Sequence, residues 1–172
     1  MEYIDVYDIH KNKIRIVPRG SKLLDGEFRL VVHICVFNSQ NQMLIQKRVL
    51  SKNSFPGKWD ISVGGTVQAG ETSSTAAGRE LKEEIGIDFD FENHRPIITS
   101  SFTGGFDDFY LIECDKEATS FKLQAEEVER VMWADKKTVL SMIDSGEFIT
   151  YHKGFIEMLF DMRNDYGTII GY

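Results

Sequence analysis

Apolar and polar residues recur with two different periods along this chain, and each period predicts a kind of element. Residues 3–7 and 13–17 read as two short strands around Asp8-Ile9-His10-Lys11-Asn12, an N-terminal hairpin over 3–17. A loop with Gly20 and Gly26 leads into the strongest strand signal, 29–37. Asn38-Ser39-Gln40-Asn41 is turn-like, and 42–47 returns as a strand. After Pro56-Gly57, the stretch Trp59-Asp60-Ile61-Ser62-Val63 is short and β-prone and ends at Gly64-Gly65. Over 73–85 the period changes: Ala77, Leu81 and Ile85 stand four apart, which predicts an amphipathic helix. Thr72 or Ser73 is placed to cap it and Gly86 to end it. Strands are expected at 96–103, 106–114 and 128–134. Asp135 is placed to cap a helix over 136–144, and a last helix is expected over 147–163, where Phe148, Tyr151, Phe155, Leu159 and Met162 have helical spacing. Strands interspersed with helices imply a mixed sheet covered by helices.

With 172 residues, 42% of them hydrophobic, one domain over 1–172 is expected, with enough apolar surface for a sizeable core. Acidic residues outnumber basic ones by 27 to 20, a formal charge of −7. That balance argues against a duplex nucleic-acid binder, which needs a basic face to displace counterions. Two cysteines, Cys35 and Cys114, make no disulfide framework and read as thiols on strands. The N-terminus is too acidic to read as a signal peptide, and no apolar run reaches the ~20 residues that span a bilayer. The expected location is the cytoplasm, without membrane attachment.

Candidate chemistry is concentrated in 65–87. Glu80, Glu83 and Glu84 are three and four residues apart, so they share an arc of roughly 100° on the predicted helix. Like charges so placed repel, and a hard divalent cation such as Mg²⁺ or Mn²⁺ would turn the repulsion into coordination. A solvated acidic face would explain the glutamates alone. It explains neither Gly64-Gly65, a pair that lets backbone approach a ligand closely, nor Arg79, which is placed to hold a carboxylate or touch a phosphate.

The segment resembles the Nudix box: a glycine, five residues, Glu, seven residues, Arg-Glu, an aliphatic, one residue, Glu-Glu, one residue, Gly and an aliphatic. Gly65, Glu71, Arg79, Glu80, Leu81, Glu83, Glu84, Gly86 and Ile87 fill its defined positions. The resemblance implies a Nudix-type α/β/α sandwich that hydrolyses a diphosphate linked to another group, with Mg²⁺ or Mn²⁺ as cofactor. By position it makes Glu80, Glu83, Glu84 and the Gly64 carbonyl metal ligands. Glu71 would support the loop, Arg79 would orient Glu80, and a distal acid, Glu126 or more specifically Glu127, would complete the metal set. In-line attack by a metal-activated water is implied, with Glu80 or the distal acid as proton acceptor.

Flanking residues are similar to the branch that includes isopentenyl-diphosphate isomerase, through Gln46-Lys47-Arg48, Lys52 and Phe55-Pro56-Gly57-Lys58-Trp59. By position, Arg48 and Lys52 would contact the diphosphate. The isomerase cysteine after Ser-Val is replaced by Gly64, its metal-binding histidine two residues on by Thr66, and a second histidine by Arg29; His33 reads as a strand residue. Isomerisation needs an acid and a base on opposite faces of the alkene, and the thiol half is missing. The reading is an isomerase-like scaffold carrying a hydrolase site, with an isomerase and a non-catalytic binding module as alternatives. Selectivity is expected from 18–28, 101–108 and the C-terminal helix. There Phe102, Phe106, Phe109 and Tyr110 either stack on substrate or fill core, and Asp107 and Asp108 either touch ligand or serve a turn. The aromatic 148–162 segment would suit a homodimer contact as well as a core.

Overall fold

The first two alternating segments pair as expected. Tyr3–Tyr7 (β1) and Lys13–Pro18 (β2) form an antiparallel two-stranded sheet with Ile4 opposite Val17. The computed structural model describes residues 1–163, 167 and 169–171; the rest of the 1–172 span lies outside the described residues. Arg29–Phe37 (β3) is the centre of a larger mixed sheet. It turns back through Asn38, whose side-chain oxygen accepts from the Gln40 and Gln42 amides, into Met43–Arg48 (β4). Trp59–Asp60 (β5) pairs with β4, and Val63–Thr66 (β6) pairs antiparallel with β3.

Ser73–Ile85 (α1) follows. Thr72 caps it: its hydroxyl accepts from the Thr75 amide at 3.2 Å while Thr75 Oγ1 accepts from the Thr72 amide at 2.9 Å. Gly86 ends the helix in the left-handed region at φ 73°, where glycine is strain-free. Ile98–Phe102 (β7) and Gly105–Glu113 (β8) form a hairpin, and β8 runs parallel to β3, with Val31 opposite Asp107. Val128–Ala134 (β9) pairs with β4; Lys136–Ser145 (α2), capped by Asp135, and Lys153–Asp161 (α3) follow.

Alternation along β3 divides the core into two layers. Val32, Ile34 and Val36 pack with Leu44 against Ala77, Leu81 and Ile85 of α1. Cys35 and Phe37 pack with Met43 and Ile45 against Val139, Met142 and Ile143 of α2 and Ile156 and Leu159 of α3. Helices therefore cover both faces of a mixed sheet, the α/β/α sandwich that the sequence implies. Cys35 is fully buried and its thiol pKa is pushed up by burial; Cys114 is half-buried one residue beyond β8.

Two element boundaries differ from expectation. The segment 59–63 is no single strand: the chain passes from the edge of β4 to that of β3 between Asp60 and Val63. Ser62 fastens the crossing, accepting from the Val36 amide at 2.8 Å and donating to the Leu44 carbonyl at 2.5 Å. Gly64 and Gly65 thus lie within β6 rather than after it. Nor does a helix begin at 147. Residues 147–151 run alongside β5: the Trp59 amide donates to the Glu147 carbonyl at 2.9 Å, and the Ile149 amide to the Trp59 carbonyl at 2.8 Å. Phe148 is buried there and the Tyr151 hydroxyl donates to Asp60 Oδ1 at 2.9 Å, so helical spacing was satisfied by an extended segment whose backbone is paired elsewhere.

Candidate active site

Strand β6 packs against α1 and pairs with β3, and its two glycines are where side chains from other elements come in. A Cβ built on Gly65 would lie 2.0 Å from the carboxylate carbon of Glu80, so the Glu80 head group occupies the space that any other residue there would fill. Helical spacing brings Glu80, Glu83 and Glu84 onto one face, as the sequence predicts, but at different depths. Glu80 and Glu84 are buried, at 7% and 4% exposure, whereas Glu83 reaches toward solvent.

Arg79 holds the cluster together. Its Nε and Nη2 donate to the two oxygens of Glu71 at 2.7 and 2.9 Å, a paired contact that fixes the guanidinium plane. Nη1 donates to Glu80 Oε1 at 2.8 Å and Glu83 Oε2 at 3.1 Å, and Nη2 reaches the Thr66 carbonyl at 3.3 Å. Glu71 also accepts from the Gln68 amide at 2.9 Å, which ties the loop before α1 to the same arginine. One guanidinium thus joins Glu71, Glu80, Glu83 and β6.

Burial and the Arg79 contacts compete in setting the proton affinities. For Glu71 desolvation is outweighed by the Arg79 hydrogen bonds, and its pKa lies below the usual carboxylate value. For Glu80 burial wins over Arg79 and the pKa is raised. Glu84 lies deepest: burial, with the nearby Glu80 charge adding to it, pushes its pKa up to about 8. A hydrogen bond from Gln46 at 3.0 Å and the Lys52 charge oppose the shift without overcoming it. A buried carboxylate in this state gains from a cation at its face.

The donor set consists of hard oxygens, which suits a hard divalent ion. Among the described residues, no three His, Cys, Asp or Glu side chains already converge on a common point. The reason is visible in Arg79, which turns Glu80 and Glu83 toward itself; a cation would have to draw those oxygens from the guanidinium. The residues fit a divalent ion in chemistry and depth, with Arg79 as its competitor.

The flanking residues arrive by two routes. Lys52 pairs with Glu127, and the Val49 amide donates to the Glu127 carbonyl at 3.2 Å, so the 48–58 loop and the residues before β9 close over each other. Burial, then the Arg48 charge, lower the Lys52 pKa; Glu84 and Glu80 act on it from the opposite side. Glu127 is half-buried and paired with Lys52, while Glu126 is exposed. Arg48 donates twice to the Ser54 carbonyl, at 3.1 and 3.0 Å, and meets Asp60 Oδ2 at 3.4 Å, so it closes its own loop. One cation escaped sequence reasoning. Arg19 follows β2, and the hairpin is pinned to the loop before α1 by the Ala69 amide donating to the Tyr3 carbonyl at 2.8 Å and the Gly70 amide to Asp5 at 3.0 Å. So placed, Arg19 acts electrostatically on both Glu80 and Lys52. Of the four aromatics weighed for substrate contact, Phe106, Phe109 and Tyr110 are buried, and Phe102 lies under Arg29.

Comparison with known proteins gives the family. Residues 27–152 match the NUDIX domain family. A relative described as an uncharacterized Nudix hydrolase, lin0387 of Listeria innocua, is 44% identical over 146 residues, covering 85% of each chain. An isopentenyl-diphosphate Delta-isomerase of Citrobacter koseri is 27% identical over 153 residues, covering 84% of this chain and 83% of its own. The crystal structure of DR0079 from Deinococcus radiodurans superposes with a TM-score of 0.77 at 26% identity, covering 91% of this chain and 98% of that one. Members of this family generally act with a divalent metal on small molecules, and no helix among the described residues is long and apolar enough to cross a membrane. The chain belongs to the Nudix hydrolase family and is an enzyme of the pyrophosphohydrolase type.

Proposed function

We propose that the chain hydrolyses the diphosphate linkage of a nucleoside diphosphate derivative or a related organic diphosphate, with Mg²⁺ or Mn²⁺ at the glutamate face of α1. Glu80, Glu83, Glu84 and the Gly64 carbonyl would hold the ion, with Glu127 as the distal acid. Bound there, the ion supplies charge neutralisation and an acidified water. The observation that carries the reading is Glu84, a carboxylate at 4% exposure beside the buried Glu80, held so by a helix whose sequence keeps no hydrophobe in its place. A binding module gains nothing from two buried acids that oppose each other's ionisation.

The chain's own residues divide the remaining work. Arg79 and Glu71 fix the Glu80 carboxylate under Gly65, leaving Glu80 or Glu127 as the group that accepts the water proton. Lys52, paired with Glu127, and Arg19, whose Nη1 donates to Glu2 Oε2 at 2.5 Å, would have to turn from those partners to meet a diphosphate; Arg48 holds the loop that carries Lys52. Gly64 stands where an isomerase thiol would be needed and Thr66 where a metal-binding histidine would be, which favours hydrolysis over isomerisation.

The test is phosphate and pyrophosphate release from nucleoside diphosphate derivatives, dinucleoside polyphosphates and isoprenoid diphosphates, followed by ³¹P NMR with Mg²⁺ or Mn²⁺ and again with chelator. Metal-dependent release is expected. Absence of release, together with deuterium exchange into isopentenyl diphosphate, would replace the hydrolase with the isomerase.

A further inference from the structure

Among the described residues, most of the large apolar side chains that stay in water belong to the first 24 positions: Tyr3, Ile9, Ile14, Ile16 and Leu24 are exposed there, Ile9 at 70% and Ile16 at 60%. They lie on the β1–β2 hairpin and the loop after it. The larger sheet treats its outer strands differently. β7 turns Thr99 and Ser101 to solvent and β9 turns Glu129 and Arg130 outward, the polar blunting expected of strand edges. β2 pairs with β1 and leaves its other edge open. The Tyr7 amide and carbonyl pair with Phe28 at 2.8 and 2.9 Å, and the Tyr3 carbonyl accepts from Ala69, so Ile4 and Val6 are the β1 residues that face β2. Their partners in register are Val17 and Arg15, which leaves the amide and carbonyl of the intervening Ile16 on the open edge.

We propose that this chain forms a two-fold dimer in which β2 pairs antiparallel with β2 of a second copy, joining two hairpins into one four-stranded sheet with Ile14 and Ile16 near its centre. Charge argues for a second copy as the occupant. Lys13 pairs with Asp5 at 2.5 Å, Arg15 Nε and Nη2 donate to the two oxygens of Glu27 at 2.7 and 2.6 Å, and Arg19 pairs with Glu2, so the cations beside the edge are neutralised within the chain. Residues 1–28 carry five acidic and five basic side chains, and the net charge of −7 therefore resides beyond them. An anionic membrane or a nucleic acid would call for surplus cations, whereas two acidic chains can meet at a neutral edge without the repulsion their other faces share. Area agrees. Leu24 joins the patch because its amide donates to the Glu27 oxygen that Arg15 Nη2 meets. Ile9, Ile14, Ile16 and Leu24 leave roughly 450 Å² open per copy, and the strand backbones and rim bring the roughly 900 Å² of two copies to the ~1,200 Å² at which stable interfaces begin. Pro18, which has no amide to give, limits the pairing to 13–17, and a two-fold contact closes the edge against further addition. The 148–162 segment, the other surface that would suit a homodimer, is taken up by the core, where Phe148, Leu159 and Met162 are buried.

The experiment has two arms on the intact chain. In the first, sedimentation velocity of wild type between about 1 and 100 µM should show the mass rising from 19.7 kDa toward twice that value. Ile16→Lys, which brings a charge into the pairing, should raise the dimer dissociation constant at least about a hundredfold, and Ile16→Thr, which keeps a β-branched side chain, about tenfold. Ile16 is largely exposed, so neither change opens the core, and circular dichroism should match wild type. Wild type that stays monomeric throughout that range overturns the proposal, as does a dimer that both variants leave intact. The second arm uses no variant. The Ile16 amide faces the open edge, so its hydrogen exchange should be fast in dilute wild type and slow at least about tenfold as the concentration is raised. Exchange that stays fast while the mass doubles would place the contact elsewhere and overturn the proposal. If Ile16→Lys fails to fold, Ile16→Thr and the exchange of wild type decide between the same two outcomes.

Discussion

Replacing Glu84 by Gln should stabilise the metal-free fold while disabling the site, and the stabilisation should depend on pH in a defined direction. Glu84 ionises near pH 8 in the fold against 4.5 for an ordinary glutamate, so the folded chain holds this proton more tightly than the unfolded chain does. Below about pH 4.5 both states are protonated and the carboxyl imposes no ionisation penalty. Between about 4.5 and 8 the unfolded chain releases the proton first, and stability falls as pH rises; above 8 the loss is constant. Each tenfold difference in proton affinity is worth about 1.4 kcal/mol, which gives a penalty of about 3 kcal/mol at pH 7 and about 5 kcal/mol at pH 9. Glutamine keeps the volume and the Gln46 contact and carries no charge. The gap in unfolding free energy between Glu84→Gln and wild type should therefore widen in favour of the variant from pH 5 to pH 8. Urea unfolding with chelator measures it, and about 3 kcal/mol corresponds to roughly 6–12 °C in midpoint for a chain of this size. Adding Mg²⁺ at pH 8 should close the gap by stabilising wild type more than the variant. A gap of equal size at pH 5 and pH 8 would refute the claim that burial strains this carboxylate.

Three further outcomes follow from named contacts. Gly65→Ala places a Cβ 2.0 Å from the Glu80 carboxylate, which must swing away from Arg79 and β6; turnover should drop about a hundredfold with the fold intact by circular dichroism, and unchanged turnover would remove Glu80 from the site. Arg79→Lys offers one ammonium where a guanidinium bridges Glu71, Glu80 and Glu83, so kcat should fall about tenfold to a hundredfold while KM changes less; wild-type kcat would count against the positioning role. Tyr151→Phe removes the hydroxyl that donates to Asp60 at 2.9 Å and should cost about 1 kcal/mol in urea unfolding; an unaltered midpoint would mean that the 147–151 segment is held by its backbone pairing alone.

The glutamate face was legible because its information is local. Spacing of three and four residues, a cap at Thr72 and a terminating glycine at Gly86 lie in one contiguous stretch, and each shapes the helix by itself. The sheet was legible where strands alternate or run apolar, as in β3. It was not legible at 147–152, where Phe148 and Tyr151 have the spacing of a helix but the backbone finds its partners on Trp59, far away in sequence. The same limit applies to the cations. Arg48 and Lys52 could be singled out from their positions, yet Ser54, Asp60 and Glu127 as their partners belong to tertiary structure. Arg19 was covered only by the broad expectation for 18–28, and its position depends on the pinning of β1 to the loop before α1; His33 read as a strand residue, and β3 places it opposite Gly64.

The central claim is that the acidic face of α1 makes this fold a metal-dependent diphosphate-cleaving enzyme. It is tested most directly by comparing turnover of wild type and Glu84→Gln at saturating Mg²⁺, on whichever diphosphate wild type cleaves fastest. Glutamine removes a charge at 4% exposure and no core volume, so the variant should remain folded and lose two or more orders of magnitude in kcat. A folded variant that turns over within a few-fold of wild type would contradict the claim and move the chemistry away from this helix.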